Sequence, residues 1–196
     1  MILISHRRNT IAELQAVPEG YGIEVDIRSF GDRLVIHHDP YVEGEDFETW
    51  LGAFRHKTLI LNVKEEGLEA RLLKLMKERG IEDFFFLDQS FPFLMKTARA
   101  GEKRCAVRVS EFESIDTALA LGGMVEWVWV DVFNPGLWLS GADAKRLKDA
   151  GLRLCLVSPE LQGRTGPEEL ARVRARLRDE KIEMDAVCTK VPAQWA

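Results

Sequence analysis

The sequence has only three cysteines in 196 residues, and Cys105, Cys155 and Cys188 are too far apart to form a metal-binding pair. An odd number, each inside an apolar strand-like run, excludes a disulfide framework and implies buried free thiols in a reducing cytoplasm. Long hydrophobic runs are also missing. None approaches the roughly 20 residues that span a bilayer. The opening Met1 to Ile4 run meets His6 and two arginines too soon to be a signal core. A cytoplasmic protein without a transmembrane segment is therefore expected. The sequence also lacks a basic stripe. Net charge is -5, and the arginine-dense stretch Ala171 to Lys181 alternates with acids and with a leucine/valine stripe. That pattern is the solvated face of an amphipathic helix and excludes a nucleic-acid footprint. With no linker or low-complexity segment, one domain over residues 1–196 is expected.

What the sequence does have is alternation. Short β-rich runs fall at Ile2–Ser5, Gly22–Ile27, Thr58–Val63, Phe84–Leu87, Cys105–Val109, Trp127–Val132, Leu152–Val157 and Ala186–Cys188, with an extension at Leu34–His37 after the Gly31-Asp32 turn. Helical periodicity fills most of the gaps. Glu65–Gly80 is the clearest case, with Leu68, Leu72, Leu73 and Met76 on one face. Asp46–Phe54, Phe91–Ala100, Glu113–Leu121, Ala142–Ala150 and Pro167–Lys181 follow, with a weaker helix at Asn9–Val17 capped by Asn9 or Thr10. Runs such as TLILNV and VWVDVF are nearly all apolar, as in strands covered on both faces. The expected fold is α/β: a compact single-domain (β/α)8 TIM-like barrel with a truncated last helix, and a doubly wound sheet as the competing architecture.

Barrel enzymes collect functional groups at the C-terminal ends of their strands. Here those ends carry His6-Arg7, Glu24 and Asp26, His38-Asp39, Asn62 and Lys64, Asp88, Arg108, Asp131, Ser158 and Glu160, and Lys190. Glu24 and Asp26 are two apart, so both carboxylates share one face of a strand. Paired buried carboxylates repel unless one is protonated or a cation lies between them. With Asn62 on a neighbouring strand, the oxygen donors suit a hard cation, Mg²⁺ or Ca²⁺. A salt-bridged, solvent-facing strand edge is the bland alternative. Of the four histidines, His6 and His38 sit at strand ends flanking the carboxylates. Adjacent His37 should face the other way, and His56 lies at the opposite end as a structural residue. Trp127 and Trp129 read as core.

The ordered set ISHR, GIEVDI, LVIHHDP, LNVK and TKVP resembles the glycerophosphodiester phosphodiesterase family of the phosphatidylinositol phospholipase C-like superfamily. The resemblance implies a divalent-metal-dependent phosphodiester hydrolase of lipid metabolism acting on a small phosphodiester. His6 and His38 would be its acid/base pair and Glu24, Asp26 and Asn62 its metal ligands. Arg7 and Lys64 would bind phosphoryl oxygens, and a cyclic phosphate would form through the substrate's own hydroxyl. Asp131, Glu160 and Lys190 would shape the substrate pocket. Three positions depart from the family pattern: Arg8 replaces a glycine, Asn62 a glutamate and Lys190 an aspartate. The family's substrate-covering insertion is also missing after Pro40. Two other functions compete: a catalytically degenerate phosphate- or sugar-phosphate-binding barrel, and a Schiff-base enzyme using Lys64 or Lys190. Alanine at His6 or His38 is expected to cost at least about 10²-fold in phosphodiester turnover. Steady-state rates near wild type in either variant would remove that histidine from the chemistry.

Overall fold

Apolar runs flanked by turn residues have to bury both of their faces, and the chain does this by curling its sheet. In the computed structural model, which describes residues 1–196, the first elements are β1 (Ile2–Ser5), α1 (Ile11–Gln15), β2 (Gly22–Phe30), β3 (Arg33–Ile36), β4 (Glu45–Asp46) and α2 (Phe47–Ala53). Then come β5 (Leu59–Val63), α3 (Glu69–Arg79), β6 (Phe84–Leu87), α4 (Phe91–Arg99), β7 (Ala106–Val109) and α5 (Ile115–Ala120). The chain finishes with β8 (Trp127–Val130), α6 (Gly141–Asp149), β9 (Arg153–Val157), α7 (Pro167–Asp179) and β10 (Ala186–Thr189). No helix is long and apolar enough to cross a membrane.

Parallel ladders run in the order β6, β5, β2, β1, β10, β9, β8, β7. Each strand lies beside its sequence neighbour and the last returns to the first. A doubly wound sheet reverses its order at an interior strand, so that competitor is excluded. The C-terminal end of β2 runs on into an antiparallel hairpin with β3, and the short β4 pairs with β3 in turn. At the remaining seam, between β6 and β7, the ladder shrinks to a single bridge, Phe86 with Cys105, where Phe86 N donates to Arg104 O at 2.8 Å. Asp88, with φ of +58°, turns the chain away immediately after β6 and ends the pairing. The expected eight strands and their order are present in a curled, mixed α/β sheet with seven helices, but a fully laddered eight-stranded ring is not reached at this seam.

Two cores follow from the curl. An inner cluster of eleven buried residues, including Ile4, Ile60, Phe85, Trp127, Trp129 and Cys188, fills the concave side. Phe85 stacks on Trp127 there at 4.5 Å. A second cluster of 42 buried residues lies between the sheet and the helices. All three cysteines are buried and unpaired, and burial pushes the Cys105 thiol up to about 12. After β10, a short 3-10 turn over Pro192–Gln194 leads to the buried Trp195, whose Nε1 donates to Ser158 Oγ at 2.9 Å.

Two boundaries move for local reasons. The helix expected from Glu65 starts at Glu69, because Gly67 takes φ +92° and donates its N–H to the Glu69 carboxylate. Thr10, rather than Asn9, caps α1 through a capping box with Glu13. At the start of β2, a Cβ placed on Gly22 would lie 2.8 Å from Thr58 O and 2.9 Å from Ile4 Cγ1. Gly22→Ala is therefore expected to destabilise the fold by about 1–3 kcal/mol by forcing neighbouring strands apart. Urea unfolding reads this directly, and an unchanged midpoint would show that the packing yields freely.

Candidate active site

The alternation of β2 turns Glu24 and Asp26 inward at the strand's C-terminal half, and both are fully buried. In the β2–β5 register Asp26 stands opposite Asn62, which places that side chain beside both carboxylates. Asn62 Nδ2 donates to Glu24 Oε1 at 2.8 Å and to Asp26 Oδ1 at 3.3 Å. The bland strand-edge alternative is thus excluded: the pair faces the concave interior.

The segment after β1 wraps these acids. Arg7 adopts φ +52°, uncommon for a residue with a side chain. Its N–H donates to Glu24 Oε2 at 2.6 Å, and its guanidinium Nε lies 3.1 Å from Asp26 Oδ2. Asn9 holds Asp26 twice, donating from Nδ2 to Oδ2 at 2.9 Å and accepting the Asp26 N–H at 3.1 Å. Motif reasoning gave Asn9 only a capping role, and nothing in its spacing signalled this one. Arg8, the family's glycine, does not need a left-handed backbone here. Its Nε donates to the buried Ser5 Oγ at 2.7 Å, and its carbonyl accepts from Trp50 Nε1 at 3.1 Å.

Lys64, at the end of β5, puts Nζ 3.4 Å from Asp26 Oδ1 and 3.0 Å from Asp88 Oδ2. Asp88 in turn pairs with Arg108, and Arg108 with the buried Asp131. Gln162 Nε2 donates to Asp131 Oδ1 at 2.6 Å. Burial pushes the Asp88 carboxyl up, but Arg108 and Lys64 override it and hold it below its ordinary value. Asp131 is therefore a buried anchor for Arg108. Glu160 accepts from Ser158, from Thr189 Oγ1 at 2.5 Å and from Lys190 N at 2.9 Å. It ties the segments after β9 and β10 together, while the Lys190 side chain is exposed above them.

The histidines differ in setting. His6 is mostly buried, with Nε2 3.7 Å from Glu24 Oε2 and Nδ1 buried without a partner. Burial first and Arg7 second depress its pKa to about 3, with Lys190 and Lys64 adding to this against Asp26. His6 is thus a neutral ring at neutral pH, and its approach to Glu24 is not an ion pair. The His38 side chain is 45% exposed, with Nδ1 2.8 Å from Asp39 Oδ1. It lines a polar cavity of about 710 Å³ together with Arg7, Asn9, Glu45 and His37. The two adjacent histidines were expected to face opposite sides. Both line this cavity, because β3 ends at Ile36 and strand alternation ends with it. His56 Nε2 lies 2.9 Å from Val17 O, away from the site, as expected of a structural residue.

The cation-binding expectation can be tested on these contacts. Glu24, Asp26 and Asn62 offer hard oxygen donors, and Asn62 Oδ1 is buried with no partner. No group of three or more His, Cys, Asp or Glu side chains is clustered for a metal; the third donor is an amide. The donor types suit a divalent cation, with one carboxylate fewer than an all-acidic triad, provided the Asn62 amide turns its unpartnered Oδ1 to where Nδ2 now meets both carboxylates.

No family model matches the sequence, and no curated protein matches it. Solved structures do share the fold. A candidate glycerophosphoryl diester phosphodiesterase of Agrobacterium tumefaciens superposes with a TM-score of 0.70 at 12% identity, covering 99% of this chain and 95% of that one. A glycerophosphodiester phosphodiesterase from the same organism gives 0.66 at 15% identity, covering 98% and 97%. A glycerol uptake operon antiterminator-related protein of Thermotoga maritima gives 0.54 at 15%, covering 99% and 97%. Identities this low speak for the fold alone, so chemistry has to be argued from the residues.

Burial and the Asp26 charge raise the Glu24 pKa to about 7. A raised carboxyl pKa contributes stability that is complete below the unfolded value near 4.5 and lost as pH rises through about 7. In chelator, Glu24→Gln should therefore become more stable than wild type as pH goes from 5 to 8, by roughly 2–3 kcal/mol at the upper end. Denaturation at both pH values reads this; a gap that does not grow with pH would mean Glu24 is already neutralised.

Proposed function

We propose that the protein is a phosphodiester hydrolase of the glycerophosphodiester phosphodiesterase type, built on a (β/α)8-type barrel that is left unladdered at the β6–β7 seam. The observation that carries this reading is the convergence of His6, Arg7, Glu24, Asp26, Asn62 and Lys64 on one buried polar centre. The fold shared with two phosphodiesterases supports it.

Glu24, Asp26 and Asn62 would hold Mg²⁺ or Ca²⁺, which when bound supplies Lewis-acid polarisation of a phosphoryl oxygen. Arg7 and Lys64 bind the non-bridging oxygens as charge builds. Neutral His6 takes the proton of the attacking hydroxyl, the substrate's own neighbour to phosphorus, as the new P–O bond forms. His38, with Nδ1 held by Asp39, gives a proton from Nε2 to the departing alcohol as the old P–O bond breaks. The cyclic phosphate is then released or hydrolysed. The 710 Å³ polar cavity beside His38 and Arg7 receives the polar alcohol.

One observation favours a second reading, a phosphate- or sugar-phosphate-binding barrel without turnover. Every oxygen of Glu24 and Asp26 already faces a donor from Arg7, Asn9, Asn62 or Lys64, so the pair is neutralised from within.

Metal screening separates the two. Bis(p-nitrophenyl) phosphate and glycerophosphodiesters should be turned over with Mg²⁺ or Ca²⁺ and not in chelator, and the same ion should raise Tm. Asn62→Glu restores a carboxylate and should tighten the cation by at least about 10-fold in a thermal-shift titration. No turnover and no shift with any divalent ion, alongside phosphate binding, would establish the binding barrel instead.

A further inference from the structure

At Ile27 the strand β2 changes partners. Its parallel ladder with β5 ends there on Val63, and its antiparallel ladder with β3 begins there on Ile36. Beyond this fork the chain carries Lys64 on the β5 side and His38 on the β3 side. No backbone N–H donates to the carbonyl of either residue. Arg28 stands in the fork, next after Glu24 and Asp26 in the alternation of β2. Its guanidinium donates from Nε to His38 O at 3.0 Å and from Nη1 to Lys64 O at 3.1 Å. One planar group thus satisfies both carbonyls, and its rigid fork of donors fixes the distance between them.

The two residues depend on this grip unequally. Lys64 is held without it: its N–H donates to Ile27 O at 3.0 Å, and next to it Glu65 Oε1 accepts from Ser29 N at 3.0 Å. His38 has less. β3 has ended at Ile36, the last backbone anchor is His37 N–H on Asp26 O at 3.0 Å, and the half-exposed His38 ring is tied only to its neighbour Asp39. Around the same centre Arg7, Lys64 and Arg108 all face carboxylates. Arg28 spends its donors on backbone instead.

We propose that Arg28 is a positioning residue, a clamp that holds the proton donor His38 at a set distance from the phosphoryl-binding Lys64. The inference rests on the phosphodiesterase reading and goes beyond it by naming a residue that acts through its neighbours. Because Lys64 has other ties, loss of the clamp falls mainly on His38, and so on protonation of the departing alcohol. Lysine at this position keeps the charge, but a single ammonium does not reproduce a planar two-point grip.

The test separates His38 from the rest of the centre by leaving group. Glycerophosphocholine and glycerol p-nitrophenyl phosphate share the attacking hydroxyl. The first releases an alcohol that needs a proton, the second a nitrophenolate that does not. A misplacement of about 1 Å costs about 10²-fold, so Arg28→Met should lower kcat on glycerophosphocholine at least about 10-fold further than on the nitrophenyl ester. Arg28→Lys, the milder variant, should keep this gap. Added to His38→Ala, Arg28→Met should widen the gap no further, since both act on one step. Equal losses on the two esters, full recovery in Arg28→Lys, or additive gaps overturn the clamp and leave the phosphodiesterase reading standing. If the wild type turns over neither ester with any divalent ion, that reading falls, and NMR of the ¹³C-labelled histidines decides the clamp. Broadening or splitting of the His38 signal in both variants, with His56 unchanged, supports it. A sharp and unmoved His38 signal overturns it.

Discussion

Two carboxylates buried side by side on β2 impose the central constraint on this molecule. Glu24 and Asp26 are out of water, and an uncompensated charge there would cost several kcal/mol. Their surroundings are therefore specified in detail. Asn62 must lie in register on β5, Lys64 must follow at its end, and the loop after β1 must bend into a left-handed turn that aims Arg7 N–H at Glu24. Asn9 completes the set from the start of α1. The elements on both sides of β2 are pinned by one electrostatic requirement, met by Arg7, Asn9, Asn62 and Lys64.

From that centre a chain of opposite charges continues around the rim: Asp26, Lys64, Asp88, Arg108 and Asp131, ending on Gln162. Each link joins a different strand end to the next. Glu160 does the same on the other flank by tying the ends of β9 and β10 together. Rim polarity here is thus partly architectural. Asp131 and Glu160, which the motifs placed against substrate, spend their hydrogen bonds on protein partners, whereas Arg7 and Lys64 face both the acids and the open centre.

How much of this was legible in the sequence depends on which contacts are periodic. Strand alternation alone put Glu24 and Asp26 on one face, and the buried runs gave the strands and their order. The Asn62 position followed from the same period. Alternation fails as soon as a strand stops, which is why His37 and His38 share a cavity. Loop conformation carries no period at all, so the left-handed Arg7 and the double grip of Asn9 on Asp26 were invisible. Partner choice among charges is tertiary: Asp88 and Arg108 could be placed on the rim but not paired. The seam was hidden for a similar reason, since FFFL and CAVRV look like ordinary neighbouring strands until Asp88 turns the chain aside.

The sheet also has an uneven mechanical character. Ladders of two to five paired positions hold β6 through β5, β2, β1 and β10 to β7, five of them between β2 and β5 and two between β1 and β2. The last gap has a single backbone bridge, Phe86 with Cys105, and the Asp88–Arg108 ion pair beside it. The curl therefore behaves as a shell with one stiff side and one compliant side, and its least costly opening motion parts β6 from β7 like the lips of a clasp. Such a motion would move α4 and α5 apart and would have to part Asp88 from Arg108, the link of the rim chain that leads through Lys64 to Asp26.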